Sequence, residues 1–116
     1  MKIGGLSFGV IEVDGVTHDR DVVIDGDRVR QRSKKPSKEF RDRYGHTPLS
    51  IKEDIPWDCR RMVIGTGAYG SLPVMPEVVE EARRRGVDLA LMPTAEAVRE
   101  LKKRDRHTNA ILHITC

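Results

Sequence analysis

The sequence predicts a single α/β domain of three layers. Its central sheet is mixed, a βαβαβ unit fills the C-terminal half, and β-hairpins precede it. Three observations lead there. Asp14-Gly15 and Asp25-Gly26-Asp27 each sit between short runs of β-branched residues, the strongest local signal for a hairpin. The second half alternates short apolar runs with two segments of helical periodicity, the pattern of parallel strands joined by crossover helices. A length of 116 residues fits one core, and that core must be aliphatic because the chain has only five aromatic side chains.

Taken in order, Ser7 to Val13 alternates around Phe8, Val10, Ile11 and Val13, turns at Asp14-Gly15 and continues in Val16 to His18. Val22-Val23-Ile24 leads through Asp25-Gly26-Asp27 into Arg28 to Arg32, whose alternation gives a strand with a solvated basic side. Residues 1–32 are thus the hairpin region. Residues 33–48 read as an exposed basic loop, since Pro36 opposes a continuous helix and little apolar content is present. Residues 49–116 form the α/β portion. Ser50 and Glu53 have the spacing of a capping box and predict a short helix over 51–55, stopped by Pro56. Trp57 reads as a packing anchor.

Met62 to Ile64 predicts a buried strand. Pro76 fits the first position of a helix, Glu77, Glu80 and Glu81 its N-terminal end, Arg83 to Arg85 its last turn, and Gly86 its stop. Met75, Val78, Val79 and Ala82 would form its buried stripe. Val87 to Met92 reads as a second buried strand. Thr94 is placed to cap a helix reaching about Lys103, with Ala97, Val98 and Leu101 inward. Ala110 to Thr115 is apolar on both faces, as an interior strand should be.

Between the first of these strands and helices lies IGTGAYGS, residues 64–71, in which Gly65, Gly67 and Gly70 spell G-x-G-x-x-G. A dinucleotide site requires a helix to start inside this motif, so that its terminal amides meet the pyrophosphate. Pro73 and Pro76 push the helix several residues away, and no acid ends the following strand, where Met92-Pro93 stands. No Gly-Lys-Ser or Gly-Lys-Thr follows for a phosphate loop either. The glycines are therefore read as turn formers at the rim of a pocket beyond the carboxyl ends of the strands. Gly65, Thr66, Gly67, Tyr69, Gly70 and Ser71 are its candidate ligand-binding residues, with His46 brought near in space.

Charge supplies the other candidate surface. The net charge is only +3, yet eight Lys or Arg residues fall between Arg28 and Arg43 against Glu39 and Asp42. Arg28, Arg30, Arg32, Lys34 and Lys35 are the candidate contacts for an anion, an acidic partner or, weakly, nucleic acid near Phe40 and Tyr44. His18, His46, His107 and His113 lack metal-ligand spacing, and Cys59 and Cys116 suggest neither a zinc site nor a disulfide framework. Under strict strand alternation, His113 and Cys116 point to opposite faces, which opposes a Cys-His pair. No metal and no cofactor are expected. The start of the chain lacks the apolar core of a secretion signal, and no run is long enough to span a membrane, so a reduced cytoplasmic setting is expected.

His46-Thr47-Pro48, VIGTG from Val63, GVDLALMPTAEAV from Gly86 and HITC from His113 occur in an order that resembles an uncharacterised domain family. That family includes the adipogenesis-associated domain protein and mitochondrial complex I assembly factor 3. The resemblance implies a three-layer α/β domain with the N-terminal hairpins around one sheet edge, and it implies little chemistry. One mitochondrial branch acts with other proteins in building a respiratory complex. This chain differs from that branch in lacking a mitochondrial presequence and in having Leu101-Lys102 where relatives carry an aromatic-Asn pair. With no complete catalytic set in view, the leading expectation is an interaction or assembly module with a protein partner or a second copy of itself, leaning away from an enzyme. The alternatives are a ligand pocket or enzyme at Gly65 to Ser71, and weak nucleic-acid binding through residues 28–43.

Overall fold

A computed structural model describes residues 1–116. Eight strands form two sheets. β1 (Ile3–Ser7), β2 (Val10–Val13) and β3 (Val16–His18) make a small antiparallel sheet in that order. β4 (Val22–Asp25), β5 (Arg28–Gln31), β6 (Arg61–Thr66), β7 (Asp88–Met92) and β8 (Thr108–His113) make a mixed sheet in the order β5-β4-β8-β6-β7. β6 runs parallel to both β7 and β8, while β4 meets β8 antiparallel. The expected mixed sheet, βαβαβ unit and hairpins are therefore present.

Strand alternation explains how one sheet serves two cores. Val22 and Ile24 of β4, Val63 of β6, and Ala110 and Leu112 of β8 share a cluster with Ile11 and Val13 of the small sheet. Ala97, Val98 and Leu101 of α3 (Thr94–Leu101) complete that face. Val23, Met62, Ile64 and Ile111 point the other way, onto Val78 and Ala82 of α2 (Pro76–Arg85) and onto Leu49 and Ile55. The layers are thus α3 with the small sheet, the mixed sheet, and α2 with the 49–57 segment. Trp57 packs against this second cluster, with the Arg85 guanidinium 5.4 Å above its ring.

The β2–β3 hairpin turns through Asp14 and Gly15 at φ 51° and 77°, the left-handed pair that a two-residue hairpin demands. One strand was expected over Ser7 to Val13; instead a turn at Phe8-Gly9 divides it, and β1 folds back on β2. α2 begins at Pro76 and ends at Gly86 in the left-handed region, as its punctuation dictates.

Four local expectations are corrected. The basic loop contains a 3₁₀ helix, Lys35–Phe40, followed by a single turn, α1 (Arg41–Tyr44), because Pro36 falls at the helix start, where its missing N–H costs nothing. No helix forms over 51–55: Ile51-Lys52 is a turn, and the Glu53 carboxylate is taken by a distant arginine. Val79 and Leu91 are each 46% exposed, because β7 is an edge strand and α2 covers only part of it. Thr94 does not cap α3 with its side chain, and Pro93 holds the N-cap position.

Candidate functional site

The glycine segment closes on its own chain. Gly67 N–H donates to Thr94 Oγ1 at 2.8 Å, Ala68 N–H to the Thr115 carbonyl at 2.7 Å, and Tyr69 and Ser71 N–H to the Cys116 carbonyl at 3.3 and 3.0 Å. Gly70 N–H turns back to the Gly67 carbonyl at 3.3 Å. Every amide from Gly67 to Ser71 thus has a protein acceptor, so none is offered to a phosphate. Gly67 is required here twice over. Its φ is +104°, and a Cβ would lie 2.4 Å from the Cys116 carbonyl carbon. α2 starts at Pro76, well beyond the motif, in keeping with the displacement imposed by the prolines.

The Thr94 hydroxyl acts as a junction. It accepts from Gly67 N–H and donates to the His113 carbonyl at 2.5 Å, tying α3 to the ends of β6 and β8. A Cβ at Gly65 would come within 2.9 Å of this hydroxyl, which is why that position also lacks a side chain. Thr66 Oγ1 donates to the Met92 carbonyl. Gly65, Thr66 and Gly67 are buried, and their role is to join strands.

Beside this junction lies an open polar cleft of about 330 Å³. Ser71 and His46 both line it, as do Thr47, His113 and Thr115; the cations on its wall are Arg32, Lys34, Lys38 and Arg41. A second recess of about 290 Å³ adjoins it, lined by Arg20, Lys35, Asp19 and Asp21 among others. Of the residues singled out in the sequence, Ser71, His46, Arg32, Lys34 and Lys35 therefore converge. Gly65, Thr66, Gly67, Tyr69 and Gly70 do not line either recess, and neither do Arg28 and Arg30 on β5. Arg30 turns instead to Asp54, with 3.5 Å between guanidinium and carboxylate.

Arg32 is not on a solvated basic side. Its side chain is 2% exposed, and its guanidinium donates through Nε and Nη2 to both oxygens of Glu53 at 2.7 and 2.9 Å, through Nη1 to Asp21 at 2.9 Å, and to the Pro48 carbonyl. Glu53, itself 3% exposed at its side chain, also accepts from Ser37 Oγ, which meets Ser50 Oγ at 2.7 Å. A residue before an exposed loop is expected to be exposed; here the loop folds over it and the two carboxylates draw it inward. Burial opposes its charge, but the Glu53 and Asp21 partners raise the Arg32 pKa above its ordinary value.

Asp21 links this core to the cleft. Its Oδ2 meets His113 Nδ1 at 2.8 Å, its Oδ1 accepts from Ile114 N–H at 3.1 Å, and His113 Nε2 lies 3.2 Å from Thr115 Oγ1. Burial pushes Asp21 upward, yet the His113 hydrogen bond, the Ile114 amide and the Arg32 charge outweigh it and hold the carboxyl below its ordinary value. With Nδ1 directed at a carboxylate, the other imidazole nitrogen faces Thr115 and the cleft.

In contrast, Lys34, Lys38 and Arg41 have no carboxylate within ion-pair distance, and neither do Arg20 and Lys35; Lys34, Lys38 and Arg41 follow one another along the 3₁₀ helix and α1. Exposed cations clustered without counter-charges attract anions. Phe40 and Tyr44 do not extend the surface as open stacking platforms, since Lys52 covers the Phe40 ring at 5.2 Å and Arg43 the Tyr44 ring at 5.7 Å.

Cys59 lies elsewhere. It precedes β6, near Asn109 at the start of β8, whereas the cleft is at the far ends of those six-residue strands, roughly 20 Å away at about 3.3 Å per residue. His46 and Cys59 are therefore not partners, and burial pushes the Cys59 thiol up. Both cysteines are free. No helix is long and apolar enough to cross a membrane.

Lys38, Arg41, Asp21, His113 and Thr115 were not among the sequence candidates for this cleft. The spacing of Lys34, Lys38 and Arg41 would have marked one face of a helix had Pro36 been read as a helix start. Asp21, directly before the apolar run Val22-Val23-Ile24, has no local feature to signal a partner 92 residues away.

A family model described as a protein of unknown function (DUF498/DUF598) matches residues 3–113. The conserved hypothetical protein PH1505 from Pyrococcus horikoshii OT3 superposes with a TM-score of 0.85 at 29% identity over 100% of both chains. The protein MT938 gives 0.73 at 22% identity, covering 98% of this chain and 97% of its own. An outer membrane protein from Bartonella henselae gives 0.67 at 14% identity over 98% and 94%, and these last two likenesses concern the fold alone.

Proposed function

Since the chain belongs to the DUF498/DUF598 family of proteins of unknown function, its chemistry has to be sought in its own side chains, and we propose that it binds a small anionic ligand in the cleft between the 3₁₀ helix and the end of β8. One observation carries this reading: Lys34, Lys38 and Arg41 line a recess in which no acidic side chain lies beside them. Ser71, Thr47 and His46 add polar groups to the same wall. The Asp21–His113 pair supplies an imidazole that is held in place on the same wall, with Thr115 Oγ1 at its other nitrogen. The reading favours phosphate or carboxylate chemistry over a dinucleotide, because the glycine amides are already bonded.

The test is thermal unfolding with inorganic phosphate at constant ionic strength. A ligand bound with a Kd near 1 mM, supplied at about 10 mM, stabilises the fold by about 1.4 kcal/mol. The shift should vanish in a Lys34→Ala/Lys38→Ala variant. An unchanged midpoint across phosphate, sulfate and citrate in the wild-type protein sinks the proposal.

A protein-interaction or assembly role, the one implied by the family resemblance, rests on a separate observation. Phe8 and Tyr69 are 61% and 77% exposed, with ring centroids 6.4 Å apart on the hairpin turn and the glycine loop. Paired exposed aromatics are the kind of anchor that interfaces use. Sedimentation of the purified protein tests the homo-oligomer version: a monomer at high concentration, unchanged by Phe8→Ala/Tyr69→Ala, rules it out.

A further inference from the structure

The two recesses are lobes of one basin. Arg32, Lys34, Lys38, His113 and Thr115 line both of them, so the wall between the lobes is made of side chains that belong to each. Of these, Arg32 is held by Glu53 and Asp21, whereas Lys34 and Lys38 are exposed and without acidic partners. Each lobe also has cations that the other lacks: Arg41 in the first, Arg20 and Lys35 in the second. Of the two acids in the second lobe, Asp21 has both oxygens occupied, by Arg32 and His113 on one side and by Ile114 N–H on the other, while Asp19 is exposed and is the one carboxylate there that Arg20, Lys34, Lys35 and Lys38 together outnumber.

Resting on the anion-binding reading above, we propose that the ligand carries two separated anionic groups, with one group seated in each lobe. Lys34 and Lys38 lie between the two groups and contact both, while Arg41 and Arg20 each hold one end. Two observations support two groups rather than one. The lobes are similar in size, about 330 and 290 Å³, so neither is a minor annex of the other. The unpaired cations are also divided among the first lobe, the second lobe and the wall they share, where a single-anion site would gather them at one point. Covalently joining two weakly bound groups makes the second contact intramolecular, which raises affinity sharply only when the joining segment matches the distance between the sites.

The experiment is a molecular ruler at constant charge. Isothermal titration compares inorganic phosphate with a series of α,ω-alkane bisphosphonates having one to five methylenes. One spacer length should bind at least about tenfold more tightly than its neighbours two methylenes away and than phosphate. Arg41→Ala and Arg20→Ala, both at exposed positions with the fold checked by circular dichroism, should each bring that best compound to within threefold of phosphate. If phosphate binds but affinity is flat across the series, or if Arg20→Ala leaves the best compound untouched, the two-lobe proposal is overturned while the anion site stands. If neither phosphate nor any bisphosphonate binds, the anion reading itself has failed.

Discussion

Replacing Arg32 with methionine is the sharpest test of how this fold holds its loop in place. Methionine matches much of the length and apolar volume of arginine, so the change removes the charge and its donors with little change in packing. What remains is the Glu53 carboxylate, 3% exposed at its side chain, with Ser37 Oγ as its surviving donor, and Asp21 still bonded to His113. Breaking a buried pair by deleting one partner costs about 3–5 kcal/mol, because the other charge stays buried without compensation. For a domain of this size that lowers Tm by about 12–20 °C, a large part of an ordinary stability of about 5–15 kcal/mol. Urea unfolding of Arg32→Met, Glu53→Met and the double variant gives the coupling directly. The double variant should recover more than half of the Arg32→Met loss, since no isolated carboxylate remains. A loss below about 1 kcal/mol for Arg32→Met, or a double variant as unstable as the sum of the singles, would refute the view that this pair is a buried, coupled unit.

The glycine loop provides a second comparison. Gly67→Ala should be destabilised beyond the roughly 1 kcal/mol expected of Gly86→Ala, because both positions have positive φ but only Gly67 would place its Cβ against backbone, while the space at Gly86 is open. Equal losses in thermal unfolding would mean that the approach of Cys116 is not constraining. The third prediction concerns pH. Asp21 is held below its ordinary value of 3.8 in the folded state, so its contribution is present above that value and is lost as pH falls through the lower folded value. Asp21→Asn should therefore cost about 1.5–3 kcal/mol near neutrality, the range for hydrogen bonds to a charged group. That gap should close as denaturant unfolding is repeated from pH 5 down to pH 2; a gap that stays constant contradicts the assignment.

Features whose cause lies within a few residues were legible in the sequence. α2 was bounded by Pro76 and Gly86, the β2–β3 turn by Asp14-Gly15, and the interior position of β8 by an apolar run with no polar face. Features decided by a distant partner were not. Ser50 and Glu53 have capping-box spacing, yet an arginine 21 residues earlier competes for the carboxylate and wins, because a buried bidentate ion pair offers more than one amide bond at a helix start. Thr94 has the position of a cap for the same kind of reason, while its hydroxyl bridges Gly67 and His113. The basic tract was visible as charge, but only tertiary structure separates its members into Arg32 buried in an ion pair, Arg30 facing Asp54, and Lys34, Lys38 and Arg41 left open on a cleft. His46 and Ser71 line one cleft, whose wall is made by side chains and not by the glycine amides.

β8 is the last of the eight strands to be synthesised, yet it occupies the middle of the mixed sheet, between β4 and β6. Until it emerges, the N-terminal hairpin and the β6–β7 pair are two pieces with no hydrogen bond between their strands. Closing the mixed sheet therefore requires β8, whose pairings with β4 are long-range contacts of the slow-forming kind. The same strand brings His113 to Asp21, so the wall of the cleft that these two form is completed by the last strand of the chain.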